Sequence, residues 1–425
     1  MGVAGGRDPP AHDRRACRSP RTGARVTDGN DARAASLRRA LADALERSGD
    51  LHSPQWRRSV ERVPRHLFVP EFFRRTETSD RGTLWAPISS GRDPEQWLDL
   101  AYRDETLVTQ LDRHITPHDV TEPVGGDPTS SSTLPGLVVR MLEDLDVADG
   151  MSVLEVGTGS GYSSALMCDR LGDDRVTSIE VDPAVAAGAA AALRRAGFAP
   201  GLVVGDGLDG VPERAPYDRV IATCAVRRVP RPWLDQVRAG GRILVTVTGW
   251  LRGYGLAVLE MGDDGVAEGR FLPGTISFMI ARSQAPPTIG DDQWNAVFGA
   301  LAEVGPRPAV VGPGIRKDWT GVFVAQLALP TTQEQVIRID GGPWTTYYLD
   351  TATESAASLT PEPDGGWAVR QSGPVRLWDK LEAAVVRWRE AGSPPQERFR
   401  IRTDGHAQTV WLDAGDGSLS WDLTV

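Results

Sequence analysis

The sequence predicts an α/β protein, a doubly wound and mostly parallel sheet followed by a smaller α+β C-terminal domain. Three observations predict it. Short β-rich runs alternate with helical runs over residues 151–281, the pattern breaks at QAPPTIG just after Ser283, and the stretch to Val425 turns to alternating apolar and polar segments. Strands alternating with helices over that length build a parallel sheet covered on both faces and joined by right-handed crossovers.

Taken in order, residues 1–33 are rich in Gly, Pro, Arg and Asp and lack hydrophobic period, which predicts a disordered arm. Residues 34–128 read as an N-terminal region of helices and loops. ASLRRALADALERSGDL, from Ala34, places Leu37, Leu41 and Leu45 at helical spacing. A second helix spans Pro54 to Val63 and stops before Pro64. Residues 74–126 are polar and broken by Gly and Pro, so long loops with small elements are expected there.

Residues 129–283 form the α/β core, with MSVLEVG, VTSIEV, PGLVVGDG, YDRVIATCA and GGRILVTVTG as its strands. Residues 284–425 make the accessory domain. Its helix VRLWDKLEAAVVRWRE carries Leu377, Leu381, Val385 and Trp388 down one face. Eight of the thirteen tryptophans fall after residue 290, most of them core residues, although aromatic anchors also suit peptide recognition.

Composition narrows the function. A chain of 425 residues, 40% hydrophobic and 24% charged, has the make-up of a soluble globular protein of more than one domain. Its formal net charge of -10 argues against bulk nucleic-acid binding. Cys17, Cys168 and Cys224 have no paired spacing, and the six histidines form no HExxH pair, so neither a disulfide framework nor a metal centre is expected. No apolar run reaches the roughly 18 residues of a membrane helix, and the N-terminus lacks a signal-peptide core. A cytoplasmic setting is the expectation.

The chemistry concentrates at VLEVGTGSG, which ends the first core strand and opens a helix. Gly157, Gly159 and Gly161 let backbone approach a ligand, with Thr158 between them. The spacing is not that of the dinucleotide G-x-G-x-x-G, and Glu155 just before the loop would repel a pyrophosphate. Glu155 suits a cationic amino group instead. Glu180, at the end of the second strand and followed by Val181, stands where a carboxylate bonds ribose hydroxyls. Asp206, in GDG with Gly207, can accept from an adenine amino group. The ligand so described is adenosine-like, carries an ammonium and lacks phosphate: S-adenosylmethionine fits, with S-adenosylhomocysteine as its product.

A second stretch is DPTSSSTLPGLVV, five hydroxyl residues between two prolines ahead of an apolar helix. The run is either a helix cap or a polar lip over a reacting group.

From about residue 35 to 283 the chain resembles protein-L-isoaspartate O-methyltransferases. VPRHLFVP (Val63–Pro70) is similar to their N-terminal signature, AYRDETL (Ala101–Leu107) to their AYxDxxL segment, and APYDRVIATCAVRRVP (Ala215–Pro230) to their fourth-strand block. The resemblance implies a seven-stranded, Rossmann-like methyltransferase fold that methylates a peptide carboxylate. It implies a Ser/Thr at the methyl-acceptor site in an S-Q-P-like segment, which falls on Thr133, supported by Ser132 and Ser131. It also maps Glu155 and Glu180 onto the family's donor-site acids.

The tail, with GGPWTTYYL, GPVRLWDKLEAAVVRWRE and TVWLD, looks like that of the methyltransferases found with ATP-grasp ligases in ribosomal peptide (graspetide) pathways. That implies methyl-esterification of an aspartate in a macrocyclised peptide, then aspartimide by loss of methanol, with an ATP-grasp ligase as pathway partner. Arg227 and Arg228 read either as solvated arginines or as a pair steering an acidic peptide. The competing functions are general isoaspartyl repair with an added tail, and a donor-site relic serving as a peptide-binding module. The intact loop and its acids speak against the relic.

Overall fold

The computed structural model describes residues 28–79, 82–338, 341–414 and 417–423. Helix α1 (Asp28–Ser48) begins six residues inside the arm expected over 1–33, whose remainder lies outside the described residues. Helix α2 (Pro54–Arg62) has Ser53 as its N-cap, accepting from the Trp56 amide, with proline in the first turn. Leu41 and Leu45 of α1 and Trp56 and Val60 of α2 are buried in one cluster.

Within 74–126, where long loops with small elements are expected, short strands and one helix stand among the loops and join a sheet. Strands β1 (Glu71–Ser79), β2 (Gly82–Ser89), β3 (Leu107–Leu111), β4 (Val124–Gly125) and β5 (Pro128–Ser132) form a five-stranded sheet in the order β4-β2-β1-β3-β5, with helix α3 (Pro94–Ala101) between β2 and β3. Its apolar content is confined to a few buried positions such as Phe72, Phe73, Val108 and Leu111. An antiparallel sheet half open to water needs no continuous apolar runs, which is why its sequence looked like loop. The hydroxyl run is thus an edge strand, with Ser131 opposite Val108 and Ser132 opposite Leu107.

Helix α4 (Pro135–Leu145) leads into the main sheet: β6 (Val153–Val156), α5 (Tyr162–Leu171), β7 (Val176–Glu180), α6 (Pro183–Ala196), β8 (Gly201–Val204), β9 (Tyr217–Val226), α7 (Arg231–Gln236), β10 (Val237–Val247), β11 (Gly255–Met261) and β12 (Ala267–Phe271). Strands β6 to β10 pair in parallel, whereas β11 and β12 continue as an antiparallel meander. Alternate residues of β9 feed two cores: Val220 and Ala222 one, Ile221 the other. The chain order reverses between β6 and β9, and such a switch point opens a ligand crevice at the carboxyl ends of the strands.

The C-terminal region holds α8 (Asp291–Ala302), β13 (Arg307–Pro308), α9 (Trp319–Ala328), β14 (Gln333–Ile337), β15 (Thr345–Asp350), β16 (Ser355–Pro361), β17 (Trp367–Ser372), α10 (Leu377–Glu390), β18 (Phe399–Thr403), β19 (Gln408–Ala414) and β20 (Gly417–Asp422). Strands β13 to β17 make a second antiparallel five-stranded sheet. Helix α10 buries the four residues expected of it, Leu377, Leu381, Val385 and Trp388.

The main sheet has ten strands, β6 to β12 and then β18 to β20, because β18 pairs with β12 and brings β19 and β20 with it. The region after residue 283 feeds two cores: Phe323, Trp378, Leu381 and Ile401 pack in the same cluster as Leu259, Ala267 and Phe271, whereas Val297, Leu301, Leu349 and Ala356 form a small cluster of their own. An uncovered β12 would expose a row of unpaired backbone groups, which β18 satisfies. No helix among the described residues is long and apolar enough to cross a membrane.

Candidate active site

The loop after β6 has positive φ at Gly157 (+97°), Gly159 (+53°) and Gly161 (+86°), and Gly161 is the N-cap of α5. At Gly157 a Cβ would stand 2.6 Å from Thr223 Oγ1, so both conformation and space demand glycine there. The loop is pinned from β7. Gly159 N donates to Glu180 Oε2 (2.9 Å), Asp182 N donates to Glu180 Oε1 (3.1 Å), and Thr158 Oγ1 lies 2.6 Å from Ser178 Oγ.

Glu155 is not where the sequence led us to expect it. Its carboxylate is fully buried beneath the loop, away from the cavity wall. It accepts from the hydroxyls of Ser163, Ser164 and Ser178. Burial pushes its carboxyl above the usual range, and the three hydroxyls oppose that shift. With three hydroxyls on its two oxygens and no place on the cavity wall, Glu155 braces the loop from beneath. Gly161 likewise stands off the cavity wall and packs against Leu193 and Ala189 of α6.

The other donor-side residues meet at one cavity of about 580 Å³. Gly157, Thr158, Gly159, Glu180, Val181, Asp206 and Gly207 all line it. Asp206 accepts from Leu208 N (3.0 Å). Glycines that let backbone approach and two carboxylates at strand ends fit an adenosine-type sulfonium donor.

Across the cavity stands the hydroxyl strand. Ser131, Ser132 and Thr133 line it, so the polar-lip reading matches the geometry. The cap reading fails: the N-cap of α4 is Leu134, without a side-chain cap bond. Ser132 Oγ and Tyr162 Oη are buried beside the cavity with no hydrogen-bond partner among the described residues. Buried hydroxyls are rarely left unsatisfied, so both keep an unused donor beside the cavity.

Arg227 and Arg228 do not line the cavity. The Arg227 guanidinium lies 4.5 Å over the Trp250 ring, and its amide donates to Gln284 Oε1 (2.6 Å). Burial depresses its pKa. Cation–π stacking thus takes a charge that looked free in the sequence. The arginine on the cavity wall is Arg282, which donates to Asp182 Oδ2 (3.0 Å) at the start of α6. It ends a segment held by Ala225, whose amide donates to Met279 O and whose carbonyl accepts from Ala281 N (2.8 Å each). Tyr254, also on the wall, stacks on Trp319 of α9 at 6.2 Å between centroids, which brings the C-terminal region to the cavity. Neither Arg282 nor Tyr254 sits in a motif, so no sequence signal pointed to them.

This cradle on a switch-point crevice defines a methyltransferase that takes its methyl from S-adenosylmethionine. Residues 101–268 match the family model of protein-L-isoaspartate(D-aspartate) O-methyltransferase. The protein-L-isoaspartate O-methyltransferase of Hyperthermus butylicus is 34% identical over 220 residues, 49% of this chain and 74% of that one. That of Thermococcus onnurineus is 30% identical over 259 residues, 60% of this chain and 93% of the relative. A solved protein-L-isoaspartate O-methyltransferase structure aligns with a TM-score of 0.48 at 21% identity, covering 91% of this chain and 98% of its own. The chain belongs to the protein-L-isoaspartate O-methyltransferase family and is a carboxyl O-methyltransferase.

Proposed function

We propose that this enzyme esterifies an aspartate side chain in a ribosomally made peptide already macrocyclised by an ATP-grasp ligase. The ester then closes to an aspartimide. The observation that carries this reading is the C-terminal region, which lies beyond the family match and yet shares the core of the main sheet and backs Tyr254 at the cavity. An accessory unit so placed can shape the acceptor side for one constrained peptide.

Glu180, Asp206 and the Gly157–Gly159 backbone would hold S-adenosylmethionine, which supplies an electrophilic methyl group when bound. The acceptor carboxylate is already ionised at neutral pH, with a pKa of about 4, so no general base is required. The chain's work is placement and exclusion of water. Ser132 and Thr133 orient the carboxylate by donating to one oxygen. In the closure step the following backbone nitrogen forms a C–N bond to the ester carbonyl, and methoxide leaves with the amide proton as methanol.

The second reading is general isoaspartyl repair, favoured by the names of the curated relatives. Mass spectrometry of an isoaspartyl peptide and a lactone- or lactam-constrained aspartyl peptide, each incubated with enzyme and S-adenosylmethionine, separates the two. The proposal expects the constrained peptide to gain one CH2 and then show a net loss of one water. Turnover of the isoaspartyl peptide alone overturns it.

A further inference from the structure

Two motifs, VPRHLFVP and AYRDETL, converge on the corner between β5 and α4. Arg65 is fully buried. Its Nη1 donates to the carbonyls of Ala101 (2.8 Å) and Arg103 (3.0 Å), and its Nη2 to those of Glu105 (3.0 Å) and Thr133 (3.2 Å). Burying a guanidinium is costly unless its donors are used; here the two Nη groups tie the 101–105 loop to the acceptor corner, while Nε has no partner among the described residues. Burial draws its pKa down to about 10, which leaves it charged at neutral pH.

The same loop finishes the corner. Leu134 offers no capping oxygen, and the start of α4 is capped from outside: Leu134 N donates to Thr106 Oγ1 (3.2 Å) and Gly136 N to Asp104 Oδ1 (2.6 Å). The carboxylate comes so close that a Cβ at residue 136 would stand 2.7 Å from Asp104 Oδ2. Free amides at a helix start ordinarily find a serine or aspartate at the N-cap itself. Here the caps come from a loop whose Thr106 also lines the cavity.

We infer that Arg65, Asp104 and Thr106 are positioning residues for methyl transfer, holding the backbone corner that carries Ser132 and Thr133 at the cavity. The inference rests on the acceptor-side reading of those two hydroxyls. A corner that shifts by an ångström misplaces the acceptor relative to the donor cradle.

The test uses the full chain with an isoaspartyl or constrained aspartyl peptide, whichever it methylates, and calorimetric titration with S-adenosylmethionine. Thr106→Val keeps the shape and loses the accepting oxygen, and Asp104→Ala loses the second cap. Each is expected to lower kcat/KM for the peptide by about tenfold or more while donor Kd stays unchanged. Thr106→Ser, which keeps the oxygen, is expected to restore most of the rate. Unchanged kcat/KM in Thr106→Val and Asp104→Ala overturns the inference, as does loss of donor affinity in step with rate. Thr133→Ala and Ser132→Ala in the same assay separate the two layers. Full activity in both removes the acceptor-side reading and this inference with it, whereas loss there beside full activity in Thr106→Val and Asp104→Ala removes this inference alone.

Discussion

The carbonyl oxygen of Ser131 lies against Gly159, so close that a Cβ on that glycine would stand 3.3 Å from it. The hydroxyl strand and the glycine loop are therefore two walls of one cavity. A group that binds the loop is within reach of the hydroxyls that follow Ser131, which is the geometry a direct methyl transfer needs.

Ser132→Ala should leave the melting temperature unchanged, because Ser132 Oγ has no partner among the described residues to lose. Peptide kcat/KM should fall on the order of tenfold, the worth of one hydrogen bond to a charged group. Steady-state kinetics beside thermal melts reads both.

Glu155→Ala should behave in the opposite way. It would orphan the buried hydroxyls of Ser163 and Ser164, each costing about 1–3 kcal/mol, while Ser178 keeps its contact with Thr158. A fall in melting temperature together with weaker S-adenosylmethionine binding is expected. Glu155→Gln, which retains one accepting oxygen, should lose less of both.

Stability should carry a histidine signature. His66 Nδ1 lies 2.6 Å from Tyr102 Oη, and burial, aided by Arg38, holds the imidazole pKa down to about 4. The unfolded chain takes up this proton near pH 6.5, the folded one only near 4. The contribution is therefore fully present above about pH 6.5 and is lost as pH falls toward 4. Denaturant titrations across that window should show a shallower loss in His66→Gln.

Arg282→Ala should raise KM for an anionic peptide by roughly tenfold, since it removes a charged donor from the cavity wall. Arg228→Ala should leave KM unchanged because Arg228 lies off that wall. Initial-rate measurements at several peptide concentrations distinguish them.

What the sequence disclosed follows from burial. Strands β6 and β9 and the second half of β10 are largely buried and read as apolar runs, and Glu180 and Asp206 are placed at the end of β7 and just after β8, the strands that alternate with helices beside them. The N-terminal sheet left little trace because it has one open face. An acid before a glycine loop looks the same whether it faces a ligand or lies beneath, so only the three serines around Glu155 reveal its place. The pairing of β12 with β18 joins residues some 130 positions apart, and no local pattern encodes that register. Arg227 lies off the cavity and Arg282 on it for a similar reason: a ring and a carboxylate from distant segments fix where each guanidinium stands.

The central claim, that the cavity between the hydroxyl strand and the glycine loop transfers a methyl group to a carboxylate, is tested most directly with methyl-labelled S-adenosylmethionine. Peptide labelled by the full chain is treated with mild alkali, which cleaves carboxyl methyl esters and leaves methylated nitrogen or sulfur intact. The account predicts label released as volatile methanol, with transfer sharply reduced in Ser132→Ala. Label that resists alkali, or transfer undiminished in Ser132→Ala, would contradict it.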